Sequence, residues 1–178
     1  MKTAKYIKLL SDIDTDHEVL GKIGGIPSID PLERGWDQNE DEYFAFICEF
    51  DLLRILGDSC QYDFLQLYQP IDEGDDPTPI VVMAKRGESN KQVVVQSMPE
   101  LKEFKIVGVP KDETQICSES ITPNLLEQMQ SKIGGVDNWE RMSYQFFGQL
   151  KEESLFNFAG MTCVIYVDDD CNFKVDLY

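Results

Sequence analysis

The sequence predicts a strand-rich α+β fold, with mostly antiparallel sheets, pseudo-duplicated halves and one or two helices. Short runs of alternating aromatic and aliphatic residues recur along the chain, as in YFAFICEFDL at 43–52, and such runs are typical of strands. Acidic or glycine-containing turns separate these runs. The motif Lys-Ile-Gly-Gly also occurs twice, at 22–25 and 132–135, each time ahead of a tryptophan and an aromatic run.

The size of the chain predicts a single domain, residues 1–178, with one shared core. With 178 residues, of which 42% are hydrophobic and 11% aromatic, the chain can bury a packed interior. This composition is unlike that of an intrinsically disordered protein, in which too few apolar residues are available to offset the entropy of ordering.

In the first third, KYIKLL fits either helical or strand spacing. Gly24 and Gly25 mark a position that needs positive φ or close backbone approach, and Pro27 excludes a continuing helix. The run 43–52 reads as a strand buried on both faces, LLRIL as one helical turn, and CQYDFLQLYQP, 60–70, as a second strand.

In the middle of the chain, PIVVMAK and KQVVVQSM flank the polar turn RGESN and predict a hairpin, and EFKIVGV, 103–109, predicts a strand. ITPNLLEQMQSKIGG carries the clearest helix pattern in the chain. Thr122 would cap it and Pro123 would take its first position. Gly134 or Gly135 would end it in the left-handed conformation.

The last third repeats the order of the first in shorter form. YQFFGQL, 144–150, takes the place of YFAFICEF, and AGMTCVIYVDDD, 159–170, takes the place of the strand at 60–70. NFKVDLY adds a terminal strand. This order predicts an internal duplication of about 20–70 and 130–178, with a hairpin and helix insert between. Chance similarity of two hairpins is the alternative.

KIGGIP with the following Trp36 and FAFICEFDL, and KIGGVDNW with YQFFGQL and FAGMTCVIYVDDD, resemble the YwqG-like family of uncharacterised bacterial proteins. The resemblance spans residues from about 20 to the end. Val136 and Asp137 depart from it, because the family commonly has Tyr-Pro there. The resemblance implies a mixed fold rich in antiparallel strands with pseudo-symmetric halves, and it implies no catalytic mechanism.

The net charge favours some partners and disfavours others. The chain has 16 Lys and Arg against 33 Asp and Glu, a formal charge of −17. Such a charge repels phosphate backbones and anionic lipid, so we expect no direct nucleic-acid or membrane binding. No segment has the length or composition of a signal peptide or a membrane span, and the five widely spaced cysteines indicate reduced thiols, so we expect a cytoplasmic protein.

No catalytic set, cofactor motif or metal site is predicted. With one histidine and no Cys-x-x-Cys, a zinc site is disfavoured. Asp12, Asp14 and Asp16 alternate as in a calcium loop, but His17 and Ile23 stand where an EF-hand needs Gly and Glu. A looser calcium site that includes Glu18 stays open, with a solvated loop as the alternative.

These observations favour a non-enzymatic interaction module whose acidic surface binds a basic protein. Two versions stay open: an immunity-type protein that neutralises a cationic toxin, and a mimic of DNA charge that blocks a nucleic-acid-binding protein. The alternative is a small-molecule or divalent-cation site in a cleft between the halves, lined by Trp36 and Trp139. The partner-binding residues we predict are Asp37, Glu40, Asp41, Glu42, Asp72, Glu73, Asp75 and Asp76.

Overall fold

A computed structural model describes residues 2–11, 17–29, 44–70, 78–86, 102–113, 130–137, 144–151 and 158–178. These residues form ten strands, one short helix and a 3₁₀ turn at Gly57–Ser59. In chain order the elements are β1 (Lys2–Leu10), β2 (Val19–Ile23), β3 (Phe44–Asp51), α1 (Leu52–Leu56), β4 (Phe64–Pro70), β5 (Ile80–Ala84), β6 (Phe104–Glu113), β7 (Lys132–Gly134), β8 (Gln145–Lys151), β9 (Thr162–Val167) and β10 (Phe173–Leu177). None of the helices within the described ranges is long and apolar enough to cross a membrane.

All ten strands belong to one sheet with the order β10-β9-β8-β7-β1-β6-β2-β3-β4-β5. Each pair of neighbours in this order is antiparallel. β1 and β6 lie at the centre and pair along nine residues of register, from Lys2 with Glu113 to Leu10 with Lys105. The two outermost strands, β5 and β10, contact each other, so the sheet curls toward a barrel and encloses its inner face.

When each of β1–β5 is exchanged with the strand five places later in the chain, the strand order reads the same from the opposite edge of the sheet. β2, β3, β4 and β5 run outward from the centre on one side, and β7, β8, β9 and β10 run outward on the other. The two sets are β1–β5 and β6–β10. The first strand of each set lies beside the strands of the other set: β1 pairs with β7, and β6 pairs with β2. Each side of the sheet therefore incorporates one central strand from the other set.

The local register follows the same correspondence. Lys22 of β2 is paired with Glu49 of β3, and Lys132 of β7 is paired with Gln149 of β8. The register shifts between Phe46 and Cys48 where β3 meets β4, and between Phe146 and Gly148 where β8 meets β9. Such bulges bend a strand and increase its twist, as a closing sheet requires.

The main core fills the concave side of the curled sheet and joins its two sides. The rings of Phe50 from β3 and Phe147 from β8 meet edge to face at 6.0 Å, and Phe147 meets Phe173 of β10 at 5.2 Å. Ile106 of β6 is fully buried in the same cluster. A second cluster lies on the other face, where Phe46 and Tyr68 pack at 5.5 Å with Val82.

The strand-rich antiparallel class predicted from the sequence is confirmed, including the strand at 43–52 and the helical turn after it. The ambiguous KYIKLL lies in a strand, because β1 fits between β6 and β7. Because of the bulge, Phe46 lies in the second cluster, whereas Cys48 and Phe50 of the same strand lie in the main core. Residues 91–98, the predicted second arm of the hairpin, lie outside the described residues.

The helix predicted to run to Gly134 or Gly135 is wrong at its carboxyl end. Lys132–Gly134 is strand β7, which pairs with β1 and β8. The glycines do have positive φ, but they end a strand instead of a helix. The pairing of Ile133 with Lys5 and Gly148, both distant along the chain, outweighs the local helical pattern. Residues 121–129 of the predicted helix lie outside the described residues.

Candidate functional site

Each Lys-Ile-Gly-Gly motif is a strand that ends in a two-glycine turn. We refer to residues 22–25 as the first glycine turn and residues 132–135 as the second. All four glycines lie in the left-handed region, with φ of 70° and 72° in the first turn and 68° and 88° in the second. In both turns the lysine Nζ donates to the carbonyl four residues later: Lys22 to Ile26, and Lys132 to Val136 at 3.1 Å.

The last glycine of each turn makes room for a carboxylate. A Cβ on Gly135 would lie 2.3 Å from Oε2 of Glu113, and a Cβ on Gly25 would lie 2.7 Å from Oε2 of Glu103. Neither position has space for a side chain, and positive φ already disfavours one. Each glycine turn thus places a lysine beside a glutamate, with Glu103 just before β6 and Glu113 at the last residue of β6.

The second glycine turn holds a fully buried ion pair. Lys132 Nζ lies 2.9 Å from each oxygen of Glu113, and their side chains are 0% and 1% exposed. The same carboxylate accepts hydrogen bonds from the hydroxyl of Tyr6 and, at 2.7 Å, from the backbone N–H of Val136. The ring of Phe146 lies 5.6 Å from Nζ. Each carboxylate oxygen of Glu113 therefore accepts at least two hydrogen bonds.

The first glycine turn is partly open to solvent and uses two acids. Lys22 Nζ lies 3.3 Å from Glu103 and 3.7 Å from Glu49, which are 37% and 4% exposed. Glu49 accepts from the hydroxyl of Ser28 and from its N–H at 2.9 Å, and from Nε2 of Gln66 at 3.2 Å. The buried acid is thus satisfied mainly by neutral donors.

Electrostatics assign these turns a structural role. Burial lowers the pKa of Lys132, and its hydrogen bond with Glu113 opposes that shift. At the first turn, the hydrogen bond from Lys105 lowers the pKa of Glu103, with Lys22 adding to the effect. A lowered pKa favours the ionised form of Glu103, so this carboxyl carries no proton for acid–base chemistry at neutral pH.

The buried thiols are unreactive in character. Burial raises the pKa of Cys48 well above its usual value, with the neighbouring Cys163 contributing, and burial raises the pKa of Cys163 as well. His17 is exposed. Within the described ranges, no group of three or more His, Cys, Asp or Glu residues is placed to hold a metal ion. Asp12, Asp14 and Asp16 of the considered calcium site lie outside those ranges.

The charges of the chain are unevenly divided between the described residues, which we call the framework, and the rest. The framework contains 13 Lys and Arg and 13 Asp and Glu, so it is formally neutral. Of the totals of 16 and 33, the remaining 3 basic and 20 acidic residues lie elsewhere in the sequence. The whole formal charge of −17 therefore belongs to the segments that connect the elements of the framework.

All ten predicted site residues lie outside the described residues: the acids of 37–42, which we call the first acidic segment, those of 72–76, the second acidic segment, and Trp36 and Trp139. The positions at which the acidic segments join the framework are described. The first precedes Phe44 and the second follows Pro70, and these two residues are register partners in β3 and β4. Both acidic segments are therefore attached at the same end of one strand pair.

No family model, curated protein or solved structure matches the chain. The YwqG-like resemblance accordingly stays a prediction. The sequence allows Lys22 and Lys132 to be either surface residues or partners of nearby acids, and the structure places both beside glutamates that the sequence did not identify. The local signal for these partners in the sequence was the glycine pair that ends each Lys-Ile-Gly-Gly motif, because glycine indicates close approach of another group.

Proposed function

We propose that the chain is an acidic interaction module that binds a basic protein through the first and second acidic segments. One observation carries the proposal: the framework is formally neutral, and the excess of 17 negative charges lies wholly in the connecting segments. Charge concentrated in segments attached to a neutral sheet creates a local negative potential that attracts a cationic surface.

The attachment of the acidic segments supports the same proposal. Phe44 and Pro70 are directly paired on adjacent strands, about 5 Å apart by antiparallel geometry. Glu42 and Asp72 each lie two residues beyond these anchors in the sequence. The two segments that contain the eight predicted acids are thus attached to the framework at paired backbone positions.

The framework itself offers little to a cationic partner. Its most buried acids, Glu49 and Glu113, are committed to donors inside the fold. Two of the exposed framework acids are also engaged: Glu18 pairs with Lys5 at 2.9 Å, and Asp112 accepts from Thr3 at 2.8 Å. We therefore assign partner recognition to the acidic segments and stability to the framework.

The exchanged strand order favours an origin by duplication of a five-strand unit, in which β1–β5 correspond to β6–β10. The repeated glycine turns and bulges support this proposal. The duplicated unit would then be longer than the segments 20–70 and 130–178, because it includes β1, β5 and β6. Membership of the YwqG-like family is proposed on the same repeated motifs and predicts the same pseudo-symmetry.

The proposal is tested by capture from an extract of the source cells at about 0.1 M and about 1 M salt, where the Debye length is about 10 Å and about 3 Å. The expected result is retention of one identifiable basic protein at low salt and its release at high salt. An immunity-type role predicts that this partner is toxic when expressed alone, and a DNA-mimic role predicts that it binds nucleic acid. Absence of any retained basic protein at low salt would overturn the proposal.

A matched pair of variants separates the segments from net charge. One variant replaces Asp37, Glu40, Asp41 and Glu42 by their amides. The control replaces four exposed framework acids, Glu18, Asp58, Asp112 and Asp170, and removes the same charge. We expect the segment variant to lose the partner and the control to keep it. Equal losses in both would show that only overall charge matters.

A further inference from the structure

The thiol of Cys171 contacts the segment that contains Cys60, on the opposite side of the curled sheet. Cys60 follows the 3₁₀ turn between α1 and β4, and Cys171 lies in the turn between β9 and β10. The thiol of Cys171 donates to the carbonyl of Ser59, the residue before Cys60, at 3.5 Å and 112 positions along the chain. This contact forms only because the sheet closes, and it places Cys171 beside the residue that precedes Cys60.

The backbone at Cys171 departs from what its turn prefers. Its N–H donates to the carbonyl of Asp168 at 3.2 Å, and the backbone N–H of Asp168 donates to the carbonyl of Asn172 at 3.1 Å. Cys171 itself has φ of 60°, a conformation that hairpin turns of this kind usually give to glycine or asparagine. A cysteine held there against local preference suggests a constraint set by its side chain.

The two thiols differ in accessibility. Cys171 is 8% exposed, whereas Cys60 is only partly buried at the edge of the main core. Burial raises the pKa of Cys171 to about 11, and a hydrogen bond with the Cys60 side chain adds to the shift. Cys60 is therefore the thiol that a reagent in solution meets first, and Cys171 is the one placed to react second.

We propose that Cys60 and Cys171 are a reversible modification site that reacts with a low-molecular-weight disulfide, such as oxidised glutathione, to form an intramolecular disulfide between the two sides of the sheet. The Cys60 thiolate attacks one glutathione sulfur, breaks its S–S bond and releases one glutathione thiol. Cys171 then loses its proton and attacks the Cys60 sulfur of the mixed disulfide, which releases the second glutathione. The protein loses two hydrogens, and its two electrons reduce the glutathione disulfide to two thiols.

The bond would tie the α1 region to the β9–β10 turn and thereby hold the curled sheet closed. Because it would close a loop of more than a hundred residues, it restricts the unfolded chain strongly, and we expect the Tm to rise by roughly 5–15 °C. Cys48 and Cys163 provide an internal comparison, since both are wholly buried and glutathione cannot reach them.

The test is incubation of the purified protein in glutathione buffers of graded oxidised-to-reduced ratio, followed by alkylation of the remaining thiols and peptide mapping. We expect a peptide that links Cys60 to Cys171, lost in the C60S and C171S variants and retained in C117S. A Cys60 that stays reduced in the most oxidising buffer, or that stops as a glutathione adduct, would overturn the proposal. So would a bond to Cys117, and if C171S does not fold, the map of the unaltered chain decides.

Discussion

The substitution Lys132→Met tests how the second glycine turn stabilises the fold. It removes the ammonium group that lies 2.9 Å from both oxygens of Glu113 and donates to Val136 at 3.1 Å, while a methionine retains most of the apolar stem. Glu113 would keep the donors on Tyr6 and Val136, but its charge would lose its cation in a site that is 1% exposed.

Removal of one partner from a buried ion pair costs about 3–5 kcal/mol, because the other charge stays desolvated without compensation. For a chain of this length that corresponds to a fall in Tm on the order of 6–20 °C. In urea unfolding followed by tryptophan fluorescence, the same loss of stability appears as a lower midpoint concentration of urea. The slope m stays unchanged if the unfolded state is unaffected.

Two controls make the measurement specific to the buried charge. Lys8→Met, at an exposed position on β1, should change the free energy of unfolding by less than about 0.5 kcal/mol. The double variant K132M/E113M should be more stable than K132M alone, because no unpaired charge remains. A K132M variant as stable as K8M would refute the ion-pair argument. So would a double variant that loses as much free energy of unfolding as the K132M and E113M single variants lose together.

Three further predictions follow from local geometry. In urea unfolding, Gly135→Ala should lower the free energy of unfolding by about 1–3 kcal/mol more than Gly160→Ala does. Both glycines have positive φ, but a Cβ at Gly135 would meet Glu113, whereas a Cβ at Gly160 would meet open space. Equal losses would contradict the contact. Under reducing conditions, the free energy of unfolding of Cys171→Gly should exceed that of Cys171→Ala by about 1 kcal/mol, because glycine adopts the positive φ without strain. Urea unfolding measures both values, and the reverse order would contradict that reasoning. The side chain of Asn172 lowers the pKa of Asp168 from 3.8, so Asp168 favours the folded state above pH 3.8 and loses that effect as the pH falls through the lowered pKa. In Asn172→Ala the carboxyl NMR titration of Asp168 should move up toward 3.8, and an unchanged titration would contradict this assignment.

Alternation and punctuation in the sequence were enough to predict most of the strands. Phe44–Asp51 and the turn of helix after it follow directly from an aromatic run ended by Asp51, whose side chain accepts from the N–H of Arg54. Phe104–Glu113 extends four residues beyond the predicted strand, because it pairs with all of β1. Local pattern therefore located strands, and pairing partners set their lengths.

The errors arose where distant contacts decide the structure. Lys132 and Ile133 lie in a helix-like sequence, yet they pair with β1 and β8 and place Lys132 beside Glu113, 19 residues away. The bulge after Phe46 was hidden for a similar reason, since a register shift depends on β4. Neither is readable from a window of neighbouring residues.

The candidate site divides in the same way. Net charge and the positions of the acidic runs come from the sequence alone, but the sequence does not say which acids build the sheet. Only the fold shows that Glu49 and Glu113 are enclosed within it, and that the attachment positions Phe44 and Pro70 are paired. The contact of Cys171 with the segment at Ser59 likewise depends on closure of the sheet.

The most direct test of the account is the rate at which the captured basic partner associates with the chain, measured by stopped flow as the salt concentration is raised. If the acidic segments steer the encounter, the rate constant should fall steeply between about 0.1 M and about 1 M salt. Conversion of the second acidic segment, Asp72, Glu73, Asp75 and Asp76, to amides should flatten that dependence. The same salt dependence in this variant and in the unaltered chain would contradict the claim that these segments form the binding surface.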